Sequence, residues 1–130
     1  MFVNNLYDKT YDWLYSIWSG KSSLREIKDT YLNSLHLLQA TGAKLLVIDL
    51  RQLEHKVQAE QIVTWMSQVW QPEAARCGLE LLIHIVPDAP CDGNEWPFVL
   101  ETTLGIPQFE NVEQTVKWLQ VQRSQNTALV

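Results

Sequence analysis

The chain predicts an α/β fold: a mixed β-sheet that starts as an antiparallel hairpin and continues as parallel β-α units, with about four helices. Three observations predict it. Apolar runs of strand length, residues 45–48 and 81–83, show no polar alternation, as strands covered on both faces do. Around them lie stretches whose apolar residues recur at +3 and +4 steps. Gly20, Gly42, Pro72, Gly78 and Gly105 punctuate the borders. Strands alternating with helices imply parallel pairing through crossovers. The length suits one domain, residues 1–122, with residues 123–130 as a frayed tail.

Residues 2–7 read as the first strand, and Asp8-Lys9-Thr10 as its turn. Residues 11–18 then alternate, with Trp13, Tyr15 and Ile17 on one face and Leu14, Ser16 and Trp18 on the other. Aromatic and β-branched enrichment makes this the second strand, ended by Gly20. Ser23 and Glu26 form a capping box, a hydroxyl with a glutamate three residues on. Leu24, Ile27, Tyr31, Leu35 and Leu38 trace one face of the helix that follows, and Gly42 closes it. The central strand runs from Lys44 to Asp49.

Residues 59–70 form the next helix, with Ile62, Val63, Trp65, Met66, Val69 and Trp70 on one stripe. Pro72 has no N–H to donate, so a kink is expected, or a restart with Pro72 at the first position. Residues 79–86 are a third apolar strand. Three prolines and a glycine make residues 87–97 a loop. Residues 97–104 read as a short helix stopped by Gly105, and residues 106–109 as a short strand placed at an edge by Pro107. Asn111 caps the last helix, whose inner face carries Val112, Val116 and Leu119.

Composition narrows the function classes. Apolar residues make up 46% and charged residues 19%, which suits a folded globular chain. The net charge is -5, and Lys21, Arg25 and Lys28 are interleaved with Glu26 and Asp29. Nucleic acid and anionic membranes both need a positive face, so neither is an expected partner. Residues 1–5 carry no secretory pattern and no apolar run is long enough to span a bilayer. Cys77 and Cys91 make no close pair motif and are read as free thiols, so cytoplasm is the expected compartment. No Ser-His-Asp order, phosphate loop, dinucleotide fingerprint or zinc-helix motif occurs. The expectation is a non-enzymatic chain with no cofactor and no metal.

Five residues stand out as candidates for an interaction surface or pocket. Asp49 and Arg51 sit where the central strand ends, the position at which open α/β sheets meet ligands. Two apart, they point the same way if the strand continues. They present a polar pair to a partner or small anion, or else Asp49 caps loop amides while Arg51 pairs with a carboxylate. Trp65 and Trp70 line a groove or dimer seam, or pack the core. His84 lies in a buried strand, either as a titrating group or metal ligand, or as a hydrogen-bonded core residue; no second ligand has helpful spacing. The acidic loop with Asp88, Asp92 and Glu95 lacks the alternating ligands of a calcium loop. Cys91 has no basic neighbour to activate it.

In order and spacing, several local features resemble the SpoIIAA-like superfamily, which includes STAS domains and small SEC14-like bacterial proteins of Bacteroidetes type. They are Trp18-Ser19-Gly20 closing the hairpin, Asp49-Leu50-Arg51 ending a strand, and Trp65, Trp70 and Pro72 on the next helix. Val86-Pro87 after a strand and Phe109 followed by Trp118-Leu119 complete the set. The resemblance spans roughly residues 7–120. It implies a protein-interaction or regulatory module, with another protein or a second copy as partner. The lipid-binding branch works in a much larger chain with an extra gating helix, so the resemblance implies no lipid cavity; a small-molecule or lipid-binding domain, with a pocket between the 50–60 and 87–97 loops, is the alternative expectation. Relatives are switched by phosphorylation of a hydroxyl that opens the helix after the central strand. Here residues 49–60 contain no hydroxyl; the nearest are Thr64 and Ser67, within the helix, so that switch does not carry over.

Overall fold

The computed structural model describes residues 1–57, 59–85, 108–109 and 112–128. The fold is α/β, with an antiparallel hairpin followed by parallel pairings. Strands β1 (Phe2–Asp8), β2 (Trp13–Ser22), β3 (Leu45–His55), β4 (Leu81–Ile85) and β5 (Gln108–Phe109) lie side by side in chain order. β1 pairs antiparallel with β2, and each later pairing is parallel. Among the described strands, the two-residue β5 forms one edge and β1 the other.

Helix α1 (Leu24–Thr41) starts where its capping box predicts: Ser23 Oγ accepts the Glu26 amide at 3.2 Å and the Glu26 carboxylate accepts the Ser23 amide at 3.1 Å. Gly42 ends it at φ 68°, a left-handed conformation that costs a residue without Cβ little, and its amide donates to the Leu38 carbonyl at 2.9 Å. Helix α2 (Ala59–Trp65) runs through a π-helical turn (Met66–Trp70) into α3 (Gln71–Arg76). Trp65, Trp70 and Gln71 keep right-handed helical angles, so the three pieces form one continuous helical rod. The expected break takes a milder form than a restart at Pro72: Pro72 is the second residue of α3, and the wider turn before it bonds the Gln71 amide to the Met66 carbonyl.

Helix α4 (Val112–Ala128) completes the described set. It runs through the segment expected to be a frayed tail, because residues 123–128 contain neither glycine nor proline to stop it. Three helical bodies are thus described; the expected short helix at 97–104, the loop at 87–97 and Val86-Pro87 lie outside the described residues.

Helices cover both faces of the sheet. Leu14, Trp18, Leu46, Ile48, Leu50 and Leu82 pack with Ile27, Tyr31 and Leu38 of α1 and Ile62, Met66 and Trp70 beyond. On the opposite face Trp13, Leu45, Val47, Ile83 and Ile85 pack with Val112, Val116 and Trp118 of α4. This double cover explains why residues 45–48 are apolar without alternation.

Two strand ends depart from the expectation. β2 continues through Gly20 to Ser22, because Gly20 takes φ 83° and bends the strand instead of ending it. A Cβ on Gly20 would stand 3.6 Å from the Phe2 ring and 3.7 Å from Met1 Cα. β3 continues past Asp49 to His55. Between the Ile17–Asp49 and Ser19–Gln52 pairs the register shifts, so Leu50 and Arg51 together oppose Trp18. This bulge reverses the strand's alternation: Leu50 and, three positions on, Leu53 both join the α1 side of the core.

Candidate interaction site

The bulge also assembles a polar cluster of Asp49, Arg51 and Tyr15 on the sheet. Asp49 is the last α4-side residue of β3 before the register shift, and Arg51 is one of the two residues that oppose Trp18 at the bulge. Arg51 turns back along its own strand and grips Asp49 with a fork: Nε donates to Oδ1 at 3.0 Å and Nη2 to Oδ2 at 2.7 Å. The Arg51 amide donates to Oδ1 at 3.1 Å, so the carboxylate also serves a backbone group beside the bulge. From β2, Tyr15 Oη donates to Oδ2 at 2.8 Å.

Burial alone would raise the Asp49 pKa, but hydrogen bonds from Arg51 and Tyr15 outweigh it and hold the carboxyl below the usual carboxylate range. Tyr15 moves the other way: burial, then its bond to the carboxylate, pushes the phenol well above its ordinary value. The Asp49 bond raises the Arg51 guanidinium in turn. At neutral pH the cluster is therefore a carboxylate, a guanidinium and a neutral phenol.

Asp49 is 4% exposed, whereas the Arg51 side chain is 40% exposed. The aspartate thus holds the arginine, and the arginine faces outward with Nη1 outside the fork. Of the two readings offered for this pair, the contacts are those of the second. Asp49 binds an amide and Arg51 binds a carboxylate, and these partners are each other.

The cluster shares its face with exposed apolar side chains. Register places Phe2 opposite Ser19, and Ser19 opposite Gln52. Leu6 lies opposite Tyr15. Phe2 is 77% and Leu6 64% exposed. Tyr11 in the turn before β2, then Trp13 and Tyr15 of β2, follow one another with ring centroids 4.8 and 5.7 Å apart, leading from the α4 contact to Asp49.

The other three candidates lie on the opposite face and do not join this site. Trp70 is buried; its Nε1 donates to the Tyr31 carbonyl at 2.7 Å and packs the ring edge-on to Tyr31 at 5.5 Å. It offers no surface to a partner. Trp65 is half-buried, 6.4 Å from the Tyr31 ring and with the Lys28 ammonium 5.6 Å over its own. His84 is fully buried, and its Nε2 lies 3.1 Å from Tyr31 Oη. Burial pushes its pKa down to about 3, so the ring is neutral at physiological pH. That is the core-histidine reading.

Sequence reasoning missed Tyr15 as a member of the site. Its face was legible from alternation; its partner depended on the β2–β3 register. It also missed His55, whose Nδ1 accepts the Val57 amide at 3.1 Å where β3 ends. Among the described residues no group of three metal-ligating side chains converges, and no helix is long and apolar enough to cross a membrane. Cys77 is a half-buried free thiol; Cys91 and the acidic residues 88, 92 and 95 lie outside the described residues. No family model and no curated protein matches the chain.

Proposed function

We propose that this chain is a non-enzymatic interaction module, a STAS-like domain without the phosphoacceptor, which binds another protein through the face that carries Arg51. The observation that supports this reading is the fork itself. Arginine is costly to order at an interface because its side chain has many rotamers. Asp49 and Tyr15 fix the guanidinium before any partner arrives, next to exposed Phe2 and Leu6. A pre-ordered arginine beside apolar side chains is the composition of interface hot spots.

A photo-crosslinking residue placed at Gln52, exposed and adjacent to Arg51, tests the reading. In the native host it couples the wild-type chain to a discrete protein, and Arg51→Glu removes that product while the fold persists. Unchanged crosslinking in the Arg51→Glu chain would place the contact elsewhere. The alternative is a small apolar ligand between the 50–60 and 87–97 segments, of which the second lies outside the described residues. Native mass spectrometry of the purified chain separates the two, since a co-purifying small molecule favours the ligand and a clean chain mass favours the protein.

A further inference from the structure

We infer that β1 is a homodimer edge: a second copy pairs with it antiparallel and the two sheets join into one. This rests on the reading of the chain as an interaction module, names one of its partners, and uses the free edge of β1, whose Phe2 and Leu6 also border the Arg51 face.

The first ground is what β1 lacks. It is a seven-residue edge strand, and among the described residues nothing pairs with its outer side. Edge strands are ordinarily guarded by lysine, proline, a bulge or shortness. Phe2-Val3-Asn4-Asn5-Leu6-Tyr7-Asp8 contains no basic residue and no proline, and its pairing with β2 is regular throughout.

The second ground identifies the occupant. Two copies of one strand paired antiparallel about a twofold axis normal to the sheet keep like faces on the same side. With the axis at Asn4, Phe2 of each copy falls opposite Leu6 of the other, on the face where both are exposed. Val3 falls opposite Asn5, and Asn4 opposite Asn4. The most exposed apolar residues of the strand therefore cover each other, as cross-strand pairs do. Asp8, the only charged residue of β1, lies beyond the paired stretch, so no like charges meet. Moving the axis to Asn5 would set Phe2 against Asp8 and Leu6 against Asn4, which satisfies neither side chain.

In this arrangement the Arg51 clusters of the two copies share one face. They are separated by five inter-strand steps, about 24 Å at the usual strand spacing. The dimer would present a bivalent surface.

Sedimentation of the purified full chain tests the inference. Wild type sediments as a dimer, and Asn4→Lys, which sets lysine against lysine on the axis, sediments as a monomer with an unchanged circular dichroism spectrum. Asn4→Asp alone is also monomeric. Mixing the two variants restores the dimer, because lysine then meets aspartate. A monomeric wild type overturns the proposal, as does a dimer that survives Asn4→Lys or a mixture that stays monomeric. Arg51→Glu leaves the dimer intact. A wild-type dimer with no crosslink at Gln52 therefore counts against the Arg51 site alone, and a crosslinked monomer against the edge alone.

Discussion

Two tyrosines on opposite faces of the sheet meet opposite fates. Tyr31 is enclosed: Trp18 packs edge-on at 4.8 Å, Trp70 edge-on at 5.5 Å, and its hydroxyl meets the buried His84. Tyr15 is half-buried, and its hydroxyl holds a carboxylate that in turn holds a solvent-facing arginine. Both hydroxyls are hydrogen-bonded. The difference is what lies beyond them. Around Tyr31 the hydroxyl and the backbone carbonyl are turned inward and bonded within the core, so that face makes stability. Around Tyr15 they end in an exposed charge, so that face is available for recognition.

The sharpest way to break this contrast is to open the closed side. Trp70→Ala removes a buried ring and leaves the Tyr31 carbonyl without its indole donor; it should cost about 3–5 kcal/mol of unfolding free energy in urea titrations. A loss below about 1 kcal/mol would show that Tyr31 is not enclosed in solution.

Acid probes the same side more gently. An unfolded histidine takes up a proton near pH 6.5, whereas folded His84 resists until about pH 3. Above pH 6.5 the two states bind the same number of protons there, and stability is unaffected. As pH falls from 6.5 toward 3 the unfolded state gains the proton first, and stability drops by up to about 4 kcal/mol from this residue. Urea midpoints measured across that range should fall for wild type and flatten for His84→Gln. Asp49 adds a separate loss at lower pH: its folded pKa is depressed, so its contribution is full above the ordinary aspartate range and is lost as pH falls through it.

The smallest effect is expected on the open side. Tyr15→Phe deletes one of the hydrogen bonds to a carboxylate that Arg51 still holds, and should cost about 1 kcal/mol in the same titration. Its larger consequence would fall on recognition, as weaker crosslinking at Gln52 beside a nearly unchanged melting curve. A Tyr15→Phe chain as damaged as Trp70→Ala would erase the distinction between the faces.

Much of the closed side was legible in the sequence. The capping box at Ser23 and Glu26, the stop at Gly42 and the inward stripe from Ile27 to Leu38 are local patterns with local causes. So is the double-sided burial of residues 45–48. The open side was legible only in pieces. Asp49 and Arg51 could be singled out because they end an apolar run. Their union with Tyr15 depended on the long-range parallel pairing that sets Tyr15 beside Val47 and Ile17 beside Asp49, which neither strand shows alone. The bulge was hidden for a related reason: it changes which residues face the core, so residues 50–55 obey no single period and the strand seems to end before it does. Gly20 misled in the same way, since a glycine that bends a strand and one that terminates it look alike in one dimension.

The strand order has a consequence for how the molecule comes into being. Each described strand after β1 lies beside the described strand that precedes it in the chain. Among the described strands, no pairing waits for a segment synthesised much later, and no early strand has to hold open a slot for a late one. Once residues 1–57 have left the ribosome they contain β1, β2, α1 and β3, a hairpin extended by a complete crossover unit, and β4 and β5 add at the growing side. The sheet can thus be laid down in the direction of translation, with β1 the first edge finished and the longest exposed.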